Sequence, residues 1–289
     1  MSLTLVDSNA HATAPPWLRD EFPLHPLADA VGNADETPEP TIEELVATMD
    51  AAGVAQALLI GSRNHGFDNS YCAHAGERYP ERFATIASVD IFAPTAIEDV
   101  RHWVEERGMH GVRLWGGRRG PATWIDDERY LPVWRYVDEL GLPVNAQMAR
   151  PETLPGHRRL LERLPTLRLT VNNIGHVSPE GGATSEDALA LLALADFPNV
   201  FANVSVQFLV AAAAGGPAGE LFQAMLERFG SRRMMWSAFY PSPPNVDYPA
   251  SAEAVRSAVG GLSPEDQEGI CSGGTLALYP TLRAGQVPG

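Results

Sequence analysis

The stretch Leu3-Thr4-Leu5-Val6-Asp7-Ser8-Asn9-Ala10-His11 predicts a β-strand that ends in polar residues. Three apolar side chains, at positions 3, 5 and 6, precede Asp7, and Asn9 and His11 then follow two residues apart. Residues two apart in a strand point to the same face of the sheet. We therefore expect Asn9 and His11 to project together from the end of this strand.

Seven further apolar runs predict strands along the rest of the chain, and amphipathic patterns predict helices between them. The eight strands are expected to end near Asn9, Ile60, Asp90, Trp115, Met148, Ile174, Val206 and Phe239. The helices are expected around 41–53, 68–79, 94–107, 127–140, 156–164, 184–195, 217–229, 249–258 and 263–272. Eight alternating strands and helices are typical of an α/β fold with a single TIM-type (β/α)8 barrel. Periodicity alone does not show closure, so a doubly wound open sheet is the alternative.

Domain organisation follows from the same pattern, because residues 1–289 contain no internal repeat and no low-complexity linker. We expect one barrel domain. The segment 12–40, which is rich in proline from Pro15 onward, is interpreted as a long loop over the barrel mouth.

Composition excludes several classes of function. The formal net charge is −15 with no Lys/Arg-rich run, so we expect no nucleic-acid partner and no anionic membrane surface. Cys72 and Cys271 stand far apart without a CxxC motif, which argues against a disulfide framework or a zinc cluster. We see neither a basic region followed by an apolar run at the start nor an apolar stretch of membrane-spanning length. A cytoplasmic protein is therefore expected.

An ordered set of short motifs runs nearly end to end. It comprises residues 3–11, Gly108-Met-His-Gly-Val-Arg-Leu114, Leu167-Arg-Leu-Thr-Val-Asn-Asn-Ile-Gly-His176, Arg233-Met-Met-Trp-Ser-Ala-Phe-Tyr-Pro241 and Gly273-Gly-Thr-Leu-Ala-Leu-Tyr279. The set resembles the amidohydrolase superfamily, in particular the amidohydrolase-related branch with dicarboxylate lactonases and non-oxidative decarboxylases. The resemblance implies a TIM barrel with its site at the carboxyl ends of the strands, and a homodimer as in many relatives.

The chain departs from that family at its metal-ligand positions. By the resemblance, Asn9, Gln147 and Asn173 stand where relatives have histidines, and Phe239 stands where they have an aspartate that binds metal and acts as general base. His11 is kept. A catalytic zinc normally has three N, S or O protein ligands. We therefore expect no metal ion in the ancestral place and no other cofactor.

His11 is the candidate acid or base, because its unperturbed pKa lies near 6.5 and it should sit inside the barrel mouth. The alternative is a histidine without a catalytic role that is hydrogen-bonded to Asn9 or Asn173. The amides of Asn9, Gln147 and Asn173 are expected to hold a substrate carbonyl or hydroxyl, or else to form a self-satisfied polar plug.

Two further side chains are catalytic candidates. His176 is expected to contact substrate or to act as a second acid or base, with a surface-loop histidine as the alternative. Asp90 ends the third strand and could orient His11 or act as base, although an acid in this place more often caps the following helix.

The substrate-binding candidates are arginines and aromatic residues. Arg113, Arg118, Arg119 and Arg150 are expected to clamp a carboxylate or phosphate, since Arg gives bidentate contacts; the alternative is a solvated loop or salt bridges. Trp115, Trp124, Phe239 and Tyr240 are expected to make the mouth apolar.

The leading hypothesis is a metal-independent enzyme that hydrolyses a lactone or activated ester, with a small, carboxylated substrate. The first alternative is a non-hydrolytic dehydratase, isomerase or cyclase that acts on a biosynthetic intermediate. The second alternative is a catalytically silent binding protein.

Overall fold

The protein is described here by a computed structural model that covers residues 3–25, 39–115, 122–147, 149–239 and 247–282. Eight parallel strands pair in chain order. They are β1 (Leu5–Ala10), β2 (Val54–Ile60), β3 (Phe83–Asp90), β4 (Gly111–Trp115), β5 (Val144–Ala146), β6 (Leu169–Val171), β7 (Val200–Ser205) and β8 (Met234–Ser237). Each overlaps a predicted strand. β6 ends earlier than predicted, because Asn172–His176 form a 3-10 turn with left-handed backbone.

The sheet closes into a barrel because β8 lies against β1. The Ser8 hydroxyl donates to the carbonyl of Trp236 at 2.8 Å. The backbone N–H of Ala238 donates to the Asp7 carboxylate at 3.3 Å. The expected TIM-type barrel is therefore confirmed, and the open doubly wound alternative is wrong.

Helices cover the outside of this barrel. In the described ranges they are α1 (Ile42–Ala52), α2 (Ser70–Arg78), α3 (Ala96–Val100), α4 (Leu131–Glu139), α5 (Leu154–Arg163), α6 (Glu186–Ala193), α7 (Val206–Ala213), α8 (Gly216–Phe229), α9 (Tyr248–Val259), α10 (Pro264–Glu268) and α11 (Gly274–Leu278). π-helical turns extend α3 through Arg101–Glu106 and join α10 to α11 through Gly269–Gly273. None of the described helices is long and apolar enough to cross a membrane.

Local sequence signals explain the ends of two helices. Thr41 and Glu44 form a capping box at the start of α1, and Gly53 ends that helix in the left-handed conformation. The helix α7 was not predicted. It begins directly after β7, where the Ser205 hydroxyl accepts the N–H of Phe208 at 3.3 Å and so caps a run of apolar residues.

Two apolar layers stabilise the barrel. The inner layer fills the amino-terminal half of its interior and contains Val6, Leu58, Ile60, Ala84, Ile86, Phe201, Met235, Leu278, Tyr279 and Leu282. The outer layer packs the other face of the strands against the helices. A Cβ on Gly111 would lie 2.8 Å from the Pro143 oxygen and 3.2 Å from the Tyr279 ring, so the chain after α11 fills the amino end tightly. The carboxyl end is left for a functional site.

Candidate functional site

Inward-facing side chains change from apolar to polar along the strands. β1 passes from Val6 to Ser8, β7 from Phe201 to Asn203 and β8 from Met235 to Ser237, and all six of these side chains are buried. Asn203 Nδ2 donates to the Ser8 hydroxyl at 2.5 Å, which fixes both side chains. A hydrogen-bonded polar layer therefore lies between the apolar interior and the mouth of the barrel.

Arg113 is the charged residue of this layer. Its side chain is only 1% exposed. Nε donates to Asn145 Oδ1 at 3.1 Å and Nη2 donates to Asn9 Oδ1 at 3.3 Å. Burial, and then the charge of Arg63, lower the pKa of Arg113 to about 9. Within the described ranges Arg113 forms no ion pair with a carboxylate, and Glu39 attracts it only from a distance, so its hydrogen-bond partners there are two amide oxygens.

The other predicted arginines lie differently. Arg150 is exposed at the end of the segment after β5, where its backbone N–H donates to the Thr153 hydroxyl. Arg118 and Arg119 fall outside the described residues. Of the predicted clamp, Arg113 is thus the arginine that the described structure places inside the barrel.

His11 lies at the mouth as a neutral imidazole. Its Nδ1–H donates to the carbonyl of Ile60 at 3.1 Å, rather than to the amides that the sequence suggested as partners. Burial lowers the pKa of His11 well below 6.5, and the positive charges of Arg113 and Arg63 lower it further. Among the described residues Nε2 has no hydrogen-bond partner, so its lone pair is available to accept a proton.

Asp7 is a site-proximal acid that the sequence analysis did not single out. Its buried carboxylate accepts the N–H groups of Asn9 and Ala238 and the hydroxyl of Tyr248. Burial outweighs these three hydrogen bonds and raises the pKa of Asp7 to about 7. The signal in the sequence was an acid on the buried face of the first strand, two residues before the site.

The three predicted amides have different surroundings. Asn9 accepts from Arg113, as described above, and Gln147 is half-buried with its Oε1 fully enclosed. Asn173 adopts a left-handed backbone and lies at the rim, where its N–H donates to Asn203 and its side-chain amide lies 3.4 Å from His176 Nδ1. The interior amides that sequence reasoning missed are Asn145, Asn172 and Asn203.

The remaining candidates are spread around the rim. His176 is exposed, and its pKa is lowered by partial burial and by Arg150. Asp90 accepts the N–H of Phe92 at 3.0 Å, as a capping acid does. Phe239 is half-buried with φ at +60°, and its N–H donates to the Ser237 hydroxyl.

The aromatic candidates lie in different parts of the barrel. Trp115 ends β4, is buried and packs against Phe67 with ring centroids 5.7 Å apart. Trp124 instead stacks on Trp134 in the outer layer of the core. Tyr240 falls outside the described residues.

Segments after β1 and β2 are tied together above the mouth. The Thr13 hydroxyl donates to Glu39 at 2.6 Å and accepts from the side chain of Asn64. His65 Nδ1–H donates to the Pro23 carbonyl, while its Nε2 accepts the N–H of Ala14. Burial lowers the pKa of His65, in keeping with this neutral form. The described ends of the predicted loop 12–40 are therefore anchored to the loop after β2.

The residues that the resemblance equates with the family's metal ligands do not fit a divalent ion. The Asn9 oxygen already accepts from a guanidinium, Phe239 offers no donor atom, and a buried cation stands beside both Asn9 and His11. Within the described ranges no group of three or more His, Cys, Asp or Glu side chains is placed to hold a metal.

Comparison with known proteins places this geometry in context. Residues 6–281 match the family model described as Amidohydrolase. A relative is L-fucono-1,5-lactonase of Burkholderia ambifaria, which is 22% identical over 205 residues, or 69% of each chain. Another is 4-sulfomuconolactone hydrolase of Hydrogenophaga intermedia, which is 26% identical over 171 residues that cover 58% of this chain and 54% of that enzyme.

The fold is also similar to a solved structure. A probable 2-pyrone-4,6-dicarboxylic acid hydrolase from Acinetobacter baumannii, with citric acid bound, superposes with a TM-score of 0.74 at 17% identity. The match covers 96% of this chain and 99% of that one. At this identity the similarity supports the fold alone.

Proposed function

We propose, from the premise that the chain belongs to the amidohydrolase family, that it hydrolyses a small carboxylated lactone or activated ester without a metal ion. The observation that carries the proposal is the buried Arg113 guanidinium, held by two amide oxygens beside a neutral His11. Two curated relatives, whose names describe lactone hydrolysis, support the reaction class.

Arg113 supplies the anchor for the substrate carboxylate. A buried cation with no carboxylate in contact is unfavourable. Glu39 attracts Arg113 only from a distance, and a ligand carboxylate supplies the missing contact. Two of its five N–H groups are used by Asn9 and Asn145, and Nη1 has no partner among the described residues. Charge-assisted hydrogen bonds of this kind are about twice as strong as neutral ones.

His11 supplies the base. Its Nδ1–H is fixed on Ile60, so Nε2 takes a proton from water as the water oxygen attacks the lactone carbonyl carbon. The ring C–O bond then breaks, and Nε2 returns the proton to the leaving alkoxide, which gives a hydroxy acid. A bound carboxylate offsets the positive field of Arg113 and Arg63, and this raises the pKa of His11 when substrate is present.

Lactones fit this arrangement better than amides do. A ring alkoxide needs less protonation to leave than an amide nitrogen, and no second strong acid stands beside His11 in the described ranges. By the resemblance, Phe239 stands in place of the family's strand-eight aspartate, and the proposal therefore gives His11 the activation of water.

The test is turnover of carboxylated and neutral lactones in water enriched in oxygen-18. The proposal predicts one solvent oxygen in each new carboxyl group, faster turnover of carboxylated lactones, and a large loss in His11→Ala. His102→Ala, at an exposed histidine paired with Glu106, is the matched control and should retain activity. Turnover without solvent oxygen would favour the dehydratase, isomerase or cyclase alternative, and binding without turnover would favour the silent binding protein.

A further inference from the structure

One wall of the barrel interior carries buried polar atoms that have no partner. Among the described residues, Gln147 Oε1, Thr170 Oγ1 and Asn172 Oδ1 are enclosed and make no hydrogen bond. Thr170 and Asn172 are 2% and 3% exposed. Buried polar atoms are nearly always paired in native proteins, so three on neighbouring elements indicate that something else completes them.

The pairing of β5 with β6 shows where these side chains point. Asn145 is the register partner of Thr170, and Ala146 is the partner of Val171. Ala146 and Val171 belong to the outer core layer, so the alternating residues Asn145 and Thr170 face the barrel interior. Asn172 follows Thr170 across Val171, whose backbone is extended, so it continues the interior face of β6. Gln147 comes directly after Ala146, the last residue of β5. The unpaired atoms therefore belong to the interior face of β6 and to the end of the neighbouring β5, next to the amide that holds Arg113.

The atoms on this wall are acceptors. Gln147 and Asn172 present amide oxygens, and Thr170 presents a hydroxyl that both accepts and donates. Arg113, on the adjacent strand, only donates. A ligand that satisfies both must carry an anionic or acceptor end and a second part with hydrogen-bond donors.

Hydroxyl groups fit the second part better than amines. An ammonium group would be repelled by Arg113 and Arg63, whose combined positive field reaches the mouth. A neutral hydroxyl donates equally well without that repulsion, and it can also accept from the Thr170 hydroxyl.

We propose that the wall formed by Gln147, Thr170 and Asn172 binds the hydroxyl groups of a hydroxylated carboxylate ligand. The inference deepens the proposed function, and rests on it only in assigning the carboxylate to Arg113. It narrows the substrate class to lactones that carry free hydroxyl groups and to the hydroxy acids that they release.

Binding of two open-chain dicarboxylates tests this proposal without any hydrolysis. D-glucarate and adipate have the same six-carbon chain and the same two carboxylates, and only glucarate carries hydroxyls. Calorimetric titration of the full chain should give a dissociation constant at least about tenfold lower for glucarate, as one or more hydrogen bonds would provide. Equal affinity for the two acids, or no binding of either, would overturn the proposal.

Substitutions in this wall test its role in ligand binding independently of the stability of the protein. Thr170→Val and Asn172→Leu should each bring the affinity for glucarate toward that for adipate, and should leave the unligated protein as stable as before or more so, because an unpaired buried polar atom is removed. Thr275→Val is the matched control, since its enclosed hydroxyl is also unpaired but lies on α11, away from the mouth. An unchanged affinity ratio in stable Thr170→Val and Asn172→Leu proteins would contradict the assignment.

These outcomes are independent of the proposed hydrolysis. Preferential glucarate binding in a protein that turns over no lactone would keep the hydroxyl-binding wall and reject the hydrolase. Lactone turnover with no preference for hydroxylated ligands would keep the hydrolase and reject the hydroxyl-binding wall.

Discussion

Arg113 Nη2 donates to Asn9 Oδ1 at 3.3 Å and so joins the carboxyl ends of β4 and β1 across the barrel. The family resemblance places a metal-binding histidine at the position of Asn9. Here an amide oxygen accepts from a buried cation instead, and this cation also lowers the pKa of His11. The local charge of the site is thus supplied by an arginine of the chain itself.

Replacing Arg113 should impair the turnover of carboxylated lactones selectively. Arg113→Met should lower kcat/KM for carboxylated lactones by about a hundredfold, as expected for the loss of charge-assisted hydrogen bonds, and change that for neutral lactones far less. Arg113→Lys keeps the charge but not the bidentate geometry of the guanidinium. Its kcat/KM for carboxylated lactones should therefore lie between those of the unchanged protein and Arg113→Met. Steady-state kinetics on both lactone types measure this.

The control for that series is Arg135→Met, at an exposed position of α4. It should leave both kinetic values unchanged. An equal loss for neutral and carboxylated lactones in Arg113→Met would show that Arg113 does not bind the carboxylate.

Asp7 should make stability depend on pH. Its pKa is raised from 3.8 to about 7 in the folded chain, so the folded state holds this proton more tightly than the unfolded state. The contribution is therefore fully present below about pH 4 and is lost as the pH rises through 7, with a slope of up to about 1.4 kcal/mol per pH unit. Urea unfolding of Asp7→Asn between pH 4.5 and 7.5 should lack this slope.

Asp20, which is exposed, provides the control for Asp7. Asp20→Asn should show the same pH profile as the unchanged protein. If Asp7→Asn also retains the profile, the carboxylate does not titrate in this range and its burial is offset by its three donors.

His65 should make the anchored loop sensitive to acid. The hydrogen bonds from His65 to Pro23 and from Ala14 to His65 require the neutral imidazole. The pKa of His65 is lowered, so its stabilising contribution is present above pH 6.5 and is lost as the pH falls toward the folded-state value. Hydrogen exchange at the Ala14 amide, corrected for intrinsic rates, should accelerate in that direction.

In His65→Ala the Ala14 amide should exchange rapidly at every pH, whereas His102→Ala should behave as the unchanged protein. Slow exchange in His65→Ala would mean that other contacts hold this segment.

Glycine substitutions at two exposed histidines should change the free energy of unfolding in opposite directions, because the backbone is strained at only one of them. His176 has φ at +51°, a conformation that costs a non-glycine residue about 1 kcal/mol, so His176→Gly should raise the free energy of unfolding. His102 lies in a helical turn, so His102→Gly should lower it by about 1 kcal/mol. Denaturant titration of both variants measures the two signs; a destabilised His176→Gly would mean that the imidazole makes contacts worth more than the strain.

Much of the fold was predictable because its determinants are local. The periodicity of apolar residues predicts the alternation of strands and helices, and the α1 capping box is a signal within four residues. Closure was not predictable from periodicity alone, since it depends on contacts such as Ser8 with Trp236, far apart in the chain; the family resemblance is what implied it. The helix α7 was missed because its apolar residues continue directly from those of β7.

The site was predictable in part for the same reason. Asn9, His11 and Arg113 stand out at predicted strand ends, and the structure brings Asn9 and Arg113 into contact. The interior roles of Asn145 and Asn203 depend on which strand face is inward, and a one-residue error in register reverses it. The turn that carries Asn173 was not predictable from strand periodicity, because β6 stops at Val171 and the next residues turn with positive φ.

Elemental analysis of catalytically active protein, purified without chelator, distinguishes metal-free catalysis by His11 and Arg113 from metal-assisted hydrolysis. We expect no stoichiometric metal and undiminished lactone turnover after exposure to a strong chelator. Zinc or manganese at one ion per chain, removed together with activity and restored with it, would contradict the assignment of catalysis to His11 and Arg113.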